Sequence, residues 1–215
     1  MIETKSNSPS ALTAEHLESE YYKQGFAKFP MADFMALGLT ETQVKSLMGV
    51  GQTEATHVST LISAIAATGS KPVEACKYNF DAALTSADSM VKTARVLEAI
   101  GVSAYLGAAP LINSSDVLAA AASIVTVEAR HQAFIRVASG AEPVPAAFDV
   151  ALGPKAVFTL AAQFITSCPE GSNLAITPFP AIALQNPEKA TIGQNLKLAD
   201  PAQPAGASFC AFVAP

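Results

Sequence analysis

Glu54-Ala55-Thr56-His57 returns in altered form as Glu128-Ala129-Arg130-His131, and these two tetrads use two of the three histidines in the chain. On an α-helix, residues three apart share a face, so each tetrad presents a carboxylate and an imidazole to one point. A single pair of this kind carries little information. With 12 glutamates in 215 residues, a given histidine has a glutamate at this spacing about 6% of the time by chance, so two pairs are a far rarer coincidence. Helical bundles that hold two metal ions use this pattern: two helices each supply Glu-x-x-His, and two others each supply a glutamate.

Outward from the tetrads, the chain offers those helices in the required order. Helical periodicity predicts a first helix from about Ser10 to Lys28, ended by Pro30. A second runs from about Thr40 to Thr68, with Thr40 as N-cap and Gly69 as its stop. Residues 69–85 form a long connection. A third helix covers about Ser86 to Ile112, and a fourth begins at Ser114 or Ser115 and ends at Gly140. A shorter fifth helix is expected over Pro154 to Ser167, with its proline in the first turn. Roughly 16 extended residues reach about 50 Å, enough for the 69–85 connection to cross the length of a ~40 Å helix.

Depth along the bundle tests the candidates. Glu15 lies about 13 residues before the end of the first helix and Glu54 about 14 after the start of the second; Glu98 and Glu128 repeat those offsets at about 14 and 13. Antiparallel hairpins therefore put all four glutamates at one level. Tyr22 follows Glu15 by the same interval, two helical turns, that separates Tyr105 from Glu98. The chain reads as two hairpins built on one plan. Glu18 shares the Glu15 face and is its rival as first-helix ligand; its counterpart in the third helix is Gly101, which leaves room beside it. The tyrosine spacing favours Glu15. The expected metal ligands are thus Glu15, Glu54, His57, Glu98, Glu128 and His131. Four carboxylates at one depth repel strongly, and two divalent cations cancel that charge; oxygen and imidazole donors suit iron or manganese.

Composition agrees with packed helices: half the chain is apolar and only 14% is charged. A net charge of −5, with no basic run, argues against a nucleic-acid partner. No stretch has the ~18–20 apolar residues needed to span a bilayer. Met1 to Ser10 is polar and lacks the apolar core of a secretory signal, which predicts either a cytoplasmic protein or a processed form. The glycosylation sequon Asn113-Ser114-Ser115 tilts the balance towards secretion. Cys76, Cys168 and Cys210 allow one disulfide plus a thiol, or three thiols, and Cys76–Cys168 is one open pairing. His16 is rotated off the Glu15 face and reads as a surface histidine or a partner of a ligand. Tyr22 and Tyr105 read either as core tyrosines or as donors to a ligand carboxylate. Arg95 and Arg130 are expected in solvent or paired with surface acids.

These segments resemble a known family, the ferritin-like domain of fungal stress-response and plant or bacterial desiccation-related proteins. The likeness rests on Ala14-Glu15-His16-Leu17-Glu18 to Tyr22, Glu54-Ala55-Thr56-His57, Cys76-Lys77-Tyr78-Asn79-Phe80, Arg95-Val96-Leu97-Glu98 to Tyr105-Leu106-Gly107-Ala108, and Val127-Glu128-Ala129-Arg130-His131. Cys168-Pro169 and Phe209-Cys210-Ala211-Phe212 resemble that family's tail. The resemblance implies an all-α, ferritin-like four-helix bundle over residues 10–168, carrying the fifth short helix, with a small strand-rich or irregular tail over 169–215. It also implies a two-iron or two-manganese site on the six residues named, with Glu54 bridging the ions together with either Glu98 or Glu128. Two functions compete. One is an oxidoreductase acting on oxygen or peroxide in stress protection. The other is a secreted stress or host-interaction protein whose metal site is structural, vestigial or empty.

Overall fold

Short polar side chains and glycines set the helix boundaries. The computed structural model describes residues 9–170 and, beyond them, 176–180, 183–185, 195 and 197–199. Helix α1 (Pro9–Lys28) ends before Pro30, which leads into a one-turn helix α2 (Met31–Met35). Helix α3 (Glu41–Ala67) starts on a capping box: the Thr40 hydroxyl accepts from the Gln43 amide, and the Gln43 side chain accepts from the Thr40 amide. Gly69, at φ +81°, turns the chain out of α3. Ser86 caps α4 (Ala87–Ala108) and Ser114 caps α5 (Ser115–Ala138), while Gly140 at φ +75° ends α5. Pro154 opens α6 (Pro154–Ala162).

Two helix ends and one added helix differ from the sequence-based expectation. Helix α4 stops at Ala108 and tightens into a 3₁₀ turn over Ala109–Leu111, because Pro110 has no amide hydrogen to continue the ladder. Helix α6 stops at Ala162 and does not reach Ser167. Strand β2 (Ile165–Ser167), which carries β-branched Ile165 and Thr166, pairs antiparallel with β1 (Lys77–Tyr78) inside the long connection. The Cys76–Cys168 disulfide closes over this pairing. Helix α2 was not expected; it buries Phe34 against Phe26 and Phe29. Of the tail, β3 (Ala183–Leu184) pairs antiparallel with β4 (Leu198–Ala199). Cys210 and Phe209 to Phe212 lie outside the described residues.

The packing gives the topology. One apolar cluster joins Tyr21 and Tyr22 of α1, Val44 and Leu47 at the start of α3, Met90 at the start of α4, and Ile135 near the end of α5. A second joins Leu12 of α1, Ile65 at the end of α3, Tyr105 at the end of α4, and Ala121 and Ile124 at the start of α5. Thus α1 and α5 run one way, and α3 and α4 the other, which requires the α3–α4 connection to cross the bundle from end to end. This is the ferritin-like arrangement. No helix is long and apolar enough among the described residues to cross a membrane. Between the two apolar clusters lies a single polar layer.

Candidate metal centre

The layer is made by residues that helical phase alone turns inward at mid-bundle. Glu15, Glu18, Glu54, Glu98 and Glu128 are each no more than 1% exposed, and His57 and His131 are 7% exposed. All six residues expected to bind metal therefore meet at one depth. They fall into two groups whose ligand atoms lie within 4.8 Å of one another: Glu15, Glu54, His57 and Glu128 in the first, and Glu54, Glu98, Glu128 and His131 in the second. Glu54 and Glu128 belong to both groups, whereas Glu15 with His57, and Glu98 with His131, belong to one each.

The imidazoles face the carboxylates through Nδ1. His57 Nδ1 lies 3.3 Å from Glu15 Oε2, 3.2 Å from Glu54 Oε2 and 3.0 Å from Glu128 Oε1. His131 Nδ1 lies 2.7 Å from Glu54 Oε1 and 3.4 Å from Glu98 Oε2. The His131–Glu54 approach is close yet not aligned as a hydrogen bond, and both atoms stay without a hydrogen-bond partner. The outer edge of His131 is tied separately. Thr53 Oγ1 donates to the Val50 carbonyl at 2.7 Å and sits 3.0 Å from His131 Nε2, where it can accept that nitrogen's proton. Nδ1 is then left to face the layer.

Both terminal glutamates are held by tyrosines from the other hairpin. The Tyr22 hydroxyl donates to Glu98 Oε1 at 2.5 Å, and the Tyr105 hydroxyl donates to Glu15 Oε1. In each case the second oxygen, Glu98 Oε2 or Glu15 Oε2, has no hydrogen-bond partner. Both tyrosines are therefore donors to carboxylates of the layer, and burial pushes their hydroxyl pKa well up, keeping them protonated. The same-face spacing did not reveal that each crosses between hairpins. Side chains on a helix lean towards its N-terminus, so in antiparallel α1 and α4 each tyrosine tips back into the layer and meets the opposite glutamate.

Burial dominates the electrostatics. It raises Glu15 to about 8 and pushes Glu18, Glu98 and Glu128 upward, with neighbouring carboxylates adding to the rise. Glu54 goes the other way: burial opposes ionisation, but contacts with His131 and His57 pull it down to about 2. Burial also opposes charge on the imidazoles, yet the surrounding carboxylates raise His57 to about 12 and His131 to about 10. Without metal, the layer keeps its charge tolerable by holding protons. Cations displace such protons.

The remaining polar residues are placed as follows. His16 is half-buried at the edge of a surface depression and makes no contact with the layer; its Nε2 lies 3.2 Å from the Val73 carbonyl and docks α1 on the crossing connection. Arg130 is exposed as expected, whereas Arg95 is half-buried with its Nε unpartnered. Asn113 is exposed. Glu18 is turned inward alongside Glu15, so the choice between them is not exclusive. Thr53 escaped the sequence reading altogether, its one signal being its place next to Glu54.

A model of the ferritin-like domain family matches residues 9–141, which include α1 to α5 and every residue of the layer. Protein rds1 of Schizosaccharomyces pombe is similar to this chain, 28% identical over 180 residues that make up 82% of this chain and 43% of that protein. The chain therefore spans less than half the length of the curated relative it matches. A ferritin-like bundle with a buried carboxylate and histidine cluster able to hold metal is thus established.

Proposed function

This chain belongs to the ferritin-like domain family, and we propose that its polar layer is a two-metal centre that reacts with oxygen or peroxide, in the service of stress protection. The observation that carries the proposal is the set of buried polar atoms without hydrogen-bond partners, Glu15 Oε2, Glu54 Oε1, Glu98 Oε2, both Glu128 oxygens and His131 Nδ1, all aimed at one layer. Buried polar atoms are otherwise hydrogen-bonded almost everywhere in proteins, so the convergence of so many on one layer supports a cation-binding role. The donors fit iron or manganese: carboxylate oxygens and two imidazole nitrogens, with no thiolate.

In this reading Glu54 and Glu128, which belong to both groups, would be shared by the two ions, Glu15 and His57 would help to hold one, and Glu98 and His131 the other. A bound pair of iron or manganese ions would supply redox chemistry towards oxygen or peroxide. The protein's part is to hold and to exclude. Tyr22 and Tyr105 fix one oxygen of each terminal carboxylate and leave the other directed inward. The apolar clusters on both sides keep bulk water from the layer along the bundle axis. Helices α3 and α5 touch only lightly, and a surface depression there is lined by Gly49, Gln52, Thr53 and His131, which gives a small oxidant a lateral approach.

The test is metal analysis of protein purified from its native source, followed by oxidant consumption. About two irons or manganeses per chain are expected, and Glu128→Ala is expected to remove both ions and the metal-dependent consumption together. Absence of metal from the native protein overturns the centre. Full loading without turnover of either oxidant overturns the redox role alone.

The reading also assigns the protein to an oxidising compartment, supported by the Cys76–Cys168 disulfide and the exposed Asn113 sequon. A second reading, a secreted stress or host-interaction protein, draws on the apolar surface near the end of α5, where Val144 is 72% and Phe148 88% exposed. Under it, ligand substitutions lower thermal stability while biological activity survives.

A further inference from the structure

Among the described residues, Glu18 is the one buried carboxylate that the two ligand groups leave out. It is 1% exposed, neither of its oxygens has a hydrogen-bond partner, and it takes part in no ion pair among the described residues. Glu128 also has two oxygens without hydrogen bonds, but His57 Nδ1 lies 3.0 Å from one of them. A carboxylate in this condition is costly to bury, and nothing in α1 explains its retention.

Gly101 explains where it points. A Cβ at position 101 would lie 2.6 Å from Glu128 Oε2 and 2.9 Å from Glu18 Oε1, so any other residue would intrude on both oxygens. A glycine inside α4 is unfavourable for the helix, and here it clears a space shared by a carboxylate of the centre and Glu18. Glu128 turns Oε1 to His57, so the oxygen that shares the Gly101 space with Glu18 is the one directed away from the Glu15–His57 group, and Gly101 itself lies one helical turn from Glu98 on α4. Glu18 therefore belongs to the Glu98 side of the layer, although it sits one turn from Glu15 in sequence.

We propose that Glu18 is a seventh ligand of the centre, binding across the Gly101 gap to the ion held by Glu98 and His131 and shared with Glu128. The inference rests on the two-metal reading above. It makes the two positions chemically unequal, because the Glu98 side gains a carboxylate that the Glu15 side lacks. Five carboxylates carry one negative charge more than two divalent ions cancel, so Glu18 suits a pair in which one ion is trivalent.

The experiment is a calorimetric titration of metal-free full chain with Mn(II), comparing wild type, Glu18→Gln and Glu18→Asp, with thermal melts of each metal-free protein. Wild type is expected to bind two ions. Glu18→Gln is expected to bind both, one of them at least tenfold more weakly, while the melt of its metal-free form shows that the bundle is still folded. Glu18→Asp, which keeps the charge on a shorter arm, should fall between them and serves if Glu18→Gln misfolds. A purely structural role would shift the melts and leave both affinities unchanged; that result overturns the proposal while sparing the two-metal reading. Failure of wild type to bind Mn(II) overturns both. In the background of Glu98→Gln, the further loss on adding Glu18→Gln must fall on the ion already weakened. A loss at the other ion overturns the assignment.

Discussion

The α1–α3 hairpin and the α4–α5 hairpin follow one plan, and their departures from it are informative. Each brings a glutamate, a Glu-x-x-His pair and a tyrosine, and the tyrosines are exchanged between them. The plan breaks at two places. Glu18 in α1 faces Gly101 in α4, and Thr53 before Glu54 has Val127 as its counterpart before Glu128. Both departures favour the same end of the layer: Glu18 leans to the Glu98 side, and Thr53 orients His131. A layer with near-twofold symmetry thus contains one well-supported half and one plainer half. In a two-metal centre this difference makes the ions inequivalent before any substrate arrives.

The broadest way to break the comparison is to ask whether the two halves respond to pH as one unit. Glu15, raised to about 8, and His57 and His131, raised to about 12 and about 10, contribute stability that is full below their unfolded pKa values. It is lost as pH rises through the folded ones. Glu54, lowered to about 2, has the opposite sign and matters only on the acid side of about 4.5. Metal-free protein should therefore lose thermal stability steadily between about pH 5 and about pH 9, and Mn(II) should reverse the trend because deprotonated ligands bind it. A melting temperature that is flat or rising over this range, without metal, would show that the layer is not proton-buffered as described.

A narrower effect separates the halves. Thr53→Val keeps the shape of the side chain but removes the oxygen beside His131 Nε2. Affinity for one Mn(II) should fall about 10- to 100-fold, the usual effect of losing a hydrogen-bond partner of a ligand histidine, with the other ion unaffected. Equal weakening of both ions would erase the distinction drawn between the halves. The smallest expected effect tests what the halves share. Tyr22→Phe and Tyr105→Phe should each weaken one ion by a few-fold, roughly 1 kcal/mol, and on opposite sides of the layer. If both fell on the same ion, the crossed tyrosine arrangement would be wrong.

How much of this was legible in the sequence depended on how local each feature is. The Glu-x-x-His pairs depend only on the pitch of one helix, and the caps Thr40, Ser86 and Ser114 only on neighbouring residues. The common depth of the four glutamates needed only that the hairpins be antiparallel. By contrast, the choice of Glu128 over Glu98 as the second shared carboxylate depends on distances between helices, which no spacing encodes. The crossing of the tyrosines and the reach of Thr53 to His131 likewise depend on which helix faces which. The expected end of α6 at Ser167 failed because pairing with Lys77–Tyr78, remote in sequence, overrode a locally plausible helix.

The bond between Cys76 and Cys168 joins positions 92 residues apart. The loop it closes contains α4, α5 and α6 whole, while α1 and α3 lie outside it. Half of the cluster, Glu98, Glu128 and His131, is thus carried on a covalent ring, and the other half on a free arm that must dock into it. Closing a loop of about 100 residues lowers the entropy of the unfolded chain by an amount worth roughly 4–5 kcal/mol in the chain-entropy view. That contribution acts on the denatured ensemble, whether or not a cation is bound. Stripping the ions should then loosen the arm while the ring stays closed.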